Sequence, residues 1–242
     1  MPINPEFELA VSTARFATYR AVARNDDHAW ELYRWNTDLA AALTPLTIDL
    51  EVTLRNTIHR QLCVHFGRDD WWASNELVLD DDTYNVLVAA LEKHRRAASK
   101  GTLTPSRVVA DLMFGVWVML LGRGGVSTLG RAADYESRLW RTTLWLGFDL
   151  GLRDPKGRAR RPSRDDVHVR AATYQRLRNR AAHHEPLFVG VHRPGAQKSS
   201  PRVPLVDIWN EGVELLSWMA PSLAEIHRTA ARLPSVVAAR PS

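Results

Sequence analysis

Thr44 to Gly67 reads TPLTIDLEVTLRNTIHRQLCVHFG, and its periodicity decides the fold class. Leu46, Leu50, Leu54, Ile58 and Leu62 recur at every fourth position. That spacing stacks apolar side chains along one stripe of an α-helix and scatters them over both faces of a strand. Thr44-Pro45 reads as an N-cap followed by proline at the first helical position, and Gly67 as the residue that ends the helix.

Working outward, the same signals recur. His28 to Leu43 places Leu32, Trp35, Leu39 and Leu43 on one face. Phe16, Tyr19 and Val22 follow a Ser12-Thr13 cap. Tyr84 to Ser99 reads as an amphipathic helix with a charged end. Thr104-Pro105 starts an almost wholly apolar helix running to Gly122, as expected for the buried centre of a bundle. A short helix is expected over Glu136–Phe148, inside a segment (123–163) broken by glycine and proline. Ser163 caps a long helix that Pro186 stops near His184. Residues 190–204 read as a loop, and Leu205–Leu233 as a helical stretch broken or kinked at Pro221. There is no Asn-Gly or Asp-Gly hairpin and little clean apolar/polar alternation. The reading is all-α: one domain over residues 1–242, about seven helices, and a basic Gly/Pro-rich loop at about 149–163.

Composition narrows the function. The 242 residues are 45% hydrophobic and 24% charged, an ordinary globular balance. Cys63 is the single cysteine, so an internal disulfide framework and a Cys-rich zinc site are ruled out. The apolar stretch Leu112–Leu121 is too short to span a bilayer. MPINPEFELA carries neither a basic n-region nor an apolar h-region, and a cytoplasmic location is expected. The net charge is +5, and the only lysines are Lys93, Lys100, Lys156 and Lys198. Arginine forks phosphate and stacks on bases, which suits nucleic acid; an Arg-over-Lys bias also follows from genomic base composition. The basic run Arg153, Lys156, Arg158, Arg160, Arg161 and Arg164 reads either as a solvated loop or as a set of phosphate contacts. The nine tryptophans mostly fall at core positions, with Trp71 and Trp72 as candidate exposed base-stacking rings.

Chemistry concentrates in one segment, RLRNRAAHHEPLF at residues 176–188. Asn179 and His183 lie one turn apart on a helix. A histidine that exchanges protons near neutrality, beside a guanidinium that holds phosphate, is a usable pair for phosphodiester chemistry. Taken from the residues alone, Arg178, Asn179 and His184 read first as side chains that cap the helix and fill its hydrogen bonds. The segment lacks the zinc-protease pattern, a phosphate-binding glycine loop and a serine elbow. No cofactor is expected.

Arg178-Asn179-Arg180-Ala181-Ala182-His183 resembles the R-x4-6-H motif of the HEPN superfamily of helical ribonucleases and RNA-associated proteins. The wider string LRNRAAHHEPLF is similar to the bacterial Abi-like (abortive infection) family within it. Further marks are Leu32-Tyr33-Arg34-Trp35-Asn36, Glu51-Val52-Thr53-Leu54-Arg55-Asn56, Trp71-Trp72, Phe114-Gly115-Val116-Trp117, Leu139-Trp140, Trp218-Met219-Ala220-Pro221 and Arg240-Pro241. The likeness covers nearly the whole chain from about Phe16 onward, with Leu139-Trp140 its one mark inside the glycine-rich, basic segment 123–163, where an RNA-contact role stays open. It implies a HEPN-like helical bundle, a homodimer with facing motif helices, and metal-independent cleavage of RNA as a toxin-like effector in phage defence, sometimes with a neutralising antitoxin or regulatory partner. A non-catalytic module binding RNA or protein is the alternative. Arg178, Asn179 and His183 match the motif as catalytic residues, and His184 and Glu185 match the Abi-like extension. Glu51, Arg55 and Asn56 resemble a second polar cluster, whose other reading is a solvated Glu51–Arg55 salt bridge. Arg158, Arg160, Arg161 and Arg164 are the candidate RNA contacts in the basic loop.

Overall fold

A computed structural model describes residues 5–97, 104–127, 130–148, 156 and 160–242. Its ten α-helices are α1 (Pro5–Val11), α2 (Thr13–Arg20), α3 (Asp26–Phe66), α4 (Asp81–Ala97), α5 (Pro105–Asp111), α6 (Phe114–Leu120), α7 (Arg164–Ala182), α8 (Leu205–Met219), α9 (Pro221–Ala230) and α10 (Leu233–Ala238). Among the described residues the only β-pairings are two isolated bridges, Val126 with Ala132 and Val191 with Val203. The all-α expectation holds, with ten helices among the described residues rather than about seven: two expected helices merge in α3, and other expected stretches are divided. No described helix is long and apolar enough to cross a membrane.

The fold is organised on α3, which is 41 residues long. Asn25 caps it through a hydrogen bond from the His28 amide (2.9 Å), Asp26 and Asp27 complement its positive end, and Gly67 ends it in the left-handed region at φ 66°. Thr44-Pro45 does not start a new helix: α3 runs straight through Pro45. An interior proline costs about 3 kcal/mol. Against that, Leu32, Leu39, Leu43, Leu46, Leu50, Leu54, Ile58 and Leu62 are all at least 98% buried in one unbroken stripe. Burial of each such side chain contributes about 1.5–3 kcal/mol, so the stripe outweighs the proline. The Thr44 and Thr47 hydroxyls donate to the carbonyls of Ala40 and Leu43 (both 3.0 Å) on either side of it.

Around α3 pack α2, α6, α8 and α10, while α7 lies between α6 and α8. Tyr174 of α7 is fully buried, and its hydroxyl pairs with Thr47 of α3 at 3.0 Å. Gly212 of α8 faces that ring: a Cβ there would come within 2.7 Å of Tyr174. The apolar run after Thr104 is two helices rather than one, because Leu112 and Met113 are extended. The helix expected over Glu136–Phe148 is a π-helical turn (Glu136–Trp140) followed by a 3-10 turn (Leu144–Gly147). Pro221 breaks the last stretch, with Ala220 non-helical before it. Trp71, expected at the surface, is fully buried and donates through Nε1 to His59 Nδ1 at 3.1 Å, while its ring meets Trp72 and Trp117 edge-on. Much of the basic loop at 149–163, including Arg153 and Arg158, lies outside the described residues.

Candidate functional site

The helix that carries the motif is built from both ends. At its start Ser163 and Asp166 form a reciprocal capping box, with the Asp166 amide donating to Ser163 Oγ (3.0 Å) and the Ser163 amide to Asp166 Oδ2 (3.1 Å). Val167, Ala171, Tyr174 and Leu177 bury its inner face. At its end the His184 amide donates to the Ala181 carbonyl and the Glu185 amide to the Arg180 carbonyl. This pair of bonds is the Schellman termination, which calls for a left-handed residue, usually glycine. Here that residue is His184, at φ 56°. A side chain held in this region costs about 1–2 kcal/mol, and such strain clusters at functional sites.

The turn after the helix is tied to α3. Asn36, 5% exposed, donates through Nδ2 to the Glu185 carbonyl (3.2 Å) and accepts from the Leu187 amide at Oδ1 (2.6 Å). Leu187 is buried, and the Phe188 ring packs against those of Tyr19 and Trp35. These contacts hold residues 183–188 as a rigid exit from α7.

On one side of the helix end, Arg178 Nε donates to Glu51 Oε1 of α3 at 2.6 Å, and its Nη1 reaches Asn179 Oδ1 at 3.3 Å. Glu51 therefore pairs across to α7 rather than along its own helix to Arg55. Arg55 instead donates to Asn56 Oδ1 (3.3 Å) and to the Ala110 carbonyl (3.4 Å). Glu51, Arg55 and Arg178 line a groove of about 310 Å³ whose apolar wall is Met113, Phe114 and Trp117. The break between α5 and α6 makes that wall by turning Met113 outward, 70% exposed. Ile48 and Val52 on the rim are also exposed.

His183 points elsewhere. It follows Arg178 by five residues, which is about 140° around the helix axis. Its side chain is exposed and makes no hydrogen bond or ion pair among the described residues. His184 and Glu185 face a second cavity, of about 240 Å³, with Arg15 and Tyr19 of α2 and Asn36 of α3. The structure thus brings Arg178, Asn179, Glu51, Arg55 and Asn56 to one side and His184 and Glu185 to another, with His183 on open surface between them.

The basic loop divides as well. Arg160 and Arg161 are exposed, and the Arg161 guanidinium lies 3.7 Å above the Trp145 ring. Arg164, expected among the RNA contacts, is 5% exposed. Its guanidinium is consumed by Glu136 (2.9 Å), Asp165 (2.6 Å) and the Leu121 carbonyl (2.7 Å). A buried guanidinium needs its donors satisfied from within, so Arg164 holds the start of α7 and has no fork left for phosphate. Among the described residues no three His, Cys, Asp or Glu side chains converge as metal ligands. Arg15 and Tyr19 carry no local signal in the sequence, because only the packing of α2 against the end of α7 brings them to the motif. Comparison of the chain with protein-family models, with curated proteins and with solved structures finds no match.

Proposed function

We propose that this chain is a metal-independent endoribonuclease of the HEPN, Abi-like kind, acting in the cytoplasm as a toxin-like effector of abortive infection. The observation that carries the reading is the end of α7: Arg178, held by Glu51 at the mouth of a groove beside Asn179, on the helix whose C-cap is the exposed His183. Arg178 presents a planar fork to a scissile phosphate and stabilises the charge that develops there. The RNA 2′-hydroxyl gives its proton to a histidine and attacks the adjacent phosphorus. The P–O5′ bond breaks, and the leaving 5′-oxygen takes a proton from a second histidine. The products are a 2′,3′-cyclic phosphate and a 5′-hydroxyl.

Two proton carriers are needed, and each chain offers one His183 in its motif. A symmetric homodimer supplies the other. The exposed Ile48, Val52 and Met113 around the groove support a second copy seated on this face, since such patches mark interaction surfaces. His183 of the partner subunit then faces the groove that its own Arg178 leaves without a histidine. A neutralising protein would act by covering the same face.

The test is purified protein with labelled RNA in excess EDTA. Cleavage should persist, DNA of the same sequence should survive, and His183→Ala should lose about 10²–10⁴ in rate. Arg178→Lys should also fail, because a point charge does not replace the fork; Asn179→Ala should be milder. Activity that disappears with EDTA and returns with magnesium overturns the mechanism, and full activity of a monomer overturns the assembly. One observation favours the alternative of a non-catalytic RNA- or protein-binding module: Arg178 is already closed onto Glu51 at 2.6 Å. On that reading RNA is retained uncut, and His183→Ala changes nothing.

A further inference from the structure

Of the arginines in the basic run that the structure describes, one is neither consumed nor loose. Arg164 is buried among its own partners, and Arg160 is exposed with no ring beneath it among the described residues. Arg161 is exposed too and makes no hydrogen bond or ion pair among the described residues, and its central carbon lies 3.7 Å above the centre of the Trp145 ring. At that distance no N–H can point between the carbon and the ring, so the guanidinium lies flat on the indole. The negative face of the ring attracts the cation, while the N–H donors lie in the guanidinium plane and stay open to solvent.

Both halves of this stack are fixed from behind. Trp145 stands in the 3-10 turn Leu144–Gly147, whose Leu144 and Gly147 are buried. Thr143 donates through Oγ1 to the Gln61 carbonyl of α3 at 3.0 Å, and Gly147 sits so close to Thr57 of α3 that a Cβ would collide with it. On the other side Pro162 is buried, Ser163 belongs to the capping box of α7, and Arg164 is held by Glu136, Asp165 and the Leu121 carbonyl. A long exposed side chain loses rotamer freedom when it grips a ligand; here the stack takes up part of that loss before any ligand arrives.

We propose that the Arg161–Trp145 stack is a preorganised phosphate fork for the RNA backbone, with Trp145 as its positioning residue. The proposal rests on RNA as the substrate of the Arg178 groove and adds a contact away from that groove. Arg161 offers a phosphate two parallel N–H bonds, a match that an ammonium cannot make. The contact is to the backbone and so is independent of base sequence. The stack stands at the start of α7, and Arg164 to Arg178 alone span about 21 Å along that helix at about 1.5 Å per residue. An RNA strand that reaches both ends covers about six stacked nucleotides at about 3.4 Å each.

Fluorescence anisotropy of the purified full-length protein tests it, with a labelled, 2′-O-methylated RNA of about 12 nucleotides, longer than that span and without the hydroxyl that cleavage needs. Affinity is measured as a function of salt concentration. Arg161→Gln should weaken binding about two- to fivefold, the scale of an exposed charge pair, and lower the slope of log affinity on log salt by about 0.7, the share of one phosphate on a single strand. Trp145→Leu keeps the charge but removes the platform, so it should shift affinity and slope in the same direction, while Trp145→Phe, which keeps a ring, should retain both. In an Arg161→Gln protein Trp145→Leu should add nothing, whereas a merely structural loss at Trp145 would add in full. Unchanged affinity and slope in Arg161→Gln, or additive losses in the double variant, overturn the fork and leave the ribonuclease reading standing. Binding that depends on Arg161 in a protein that cleaves no RNA removes the ribonuclease and keeps the fork. A parent protein that binds no RNA overturns both.

Discussion

Replacing Asn36 by leucine isolates the tie between α3 and the exit from α7. Leucine has the same branched shape of four heavy atoms and is the larger of the two, so no cavity opens and the loss is chiefly one of hydrogen bonds. The Leu187 amide is buried and loses its 2.6 Å acceptor. A buried amide without a partner costs about 1–3 kcal/mol. The Glu185 carbonyl loses its 3.2 Å donor from Nδ2 but is only partly buried, so water can replace that bond. That part costs about 0.5–1.5 kcal/mol. Asn36→Leu should therefore destabilise by about 1.5–4.5 kcal/mol, read as a lower urea midpoint with an unchanged slope. Hydrogen exchange gives the local readout: the Leu187 amide should lose protection while the amides of α8 exchange only as the global loss requires. A change below about 0.5 kcal/mol, or unaltered exchange at Leu187, would show that Asn36 does not hold this turn.

Other perturbations follow from the same geometry. His184→Gly should stabilise the fold by about 0.5–1 kcal/mol, because glycine adopts the left-handed position without the side-chain penalty; a lower urea midpoint would contradict the strain. Ser163→Ala should cost about 1 kcal/mol by removing the cap of α7, and far-UV dichroism with thermal melting reads that loss. His59 and His168 are both held below the ordinary imidazole value, chiefly by burial, with Arg164 adding to the effect on His168. Each binds its proton more weakly folded than unfolded, so stability is full above pH about 6.5 and declines as the pH falls below it. Replacing either by glutamine should flatten that part of the stability–pH curve, and an unchanged curve in both variants would contradict the assignment.

Local chemistry was legible in the sequence. The leucine stripe of α3, the Ser163 cap, the end of α3 at Gly67 and the break at Pro221 are each decided within a few neighbouring residues, and each appears where the residues require it. So does the absence of described strands. What depends on packing could not be read in this way. Thr44-Pro45 has the form of a helix start, yet the stripe buried on both sides of it carries α3 through. Leu112 and Met113 sit in an apolar run with no breaker, yet the chain extends there, and that break supplies the wall of the Arg178 groove. Arg164 looks like one more member of a basic run until Glu136 and Leu121 close around it. Glu51 and Arg178 are 127 positions apart, and Asn36 and Leu187 are 151. Caps and periodicity are short-range energies written into one segment. Which donor meets which acceptor across helices, and whether a charge ends in solvent or in the core, is decided only when the apolar faces have chosen how to pack.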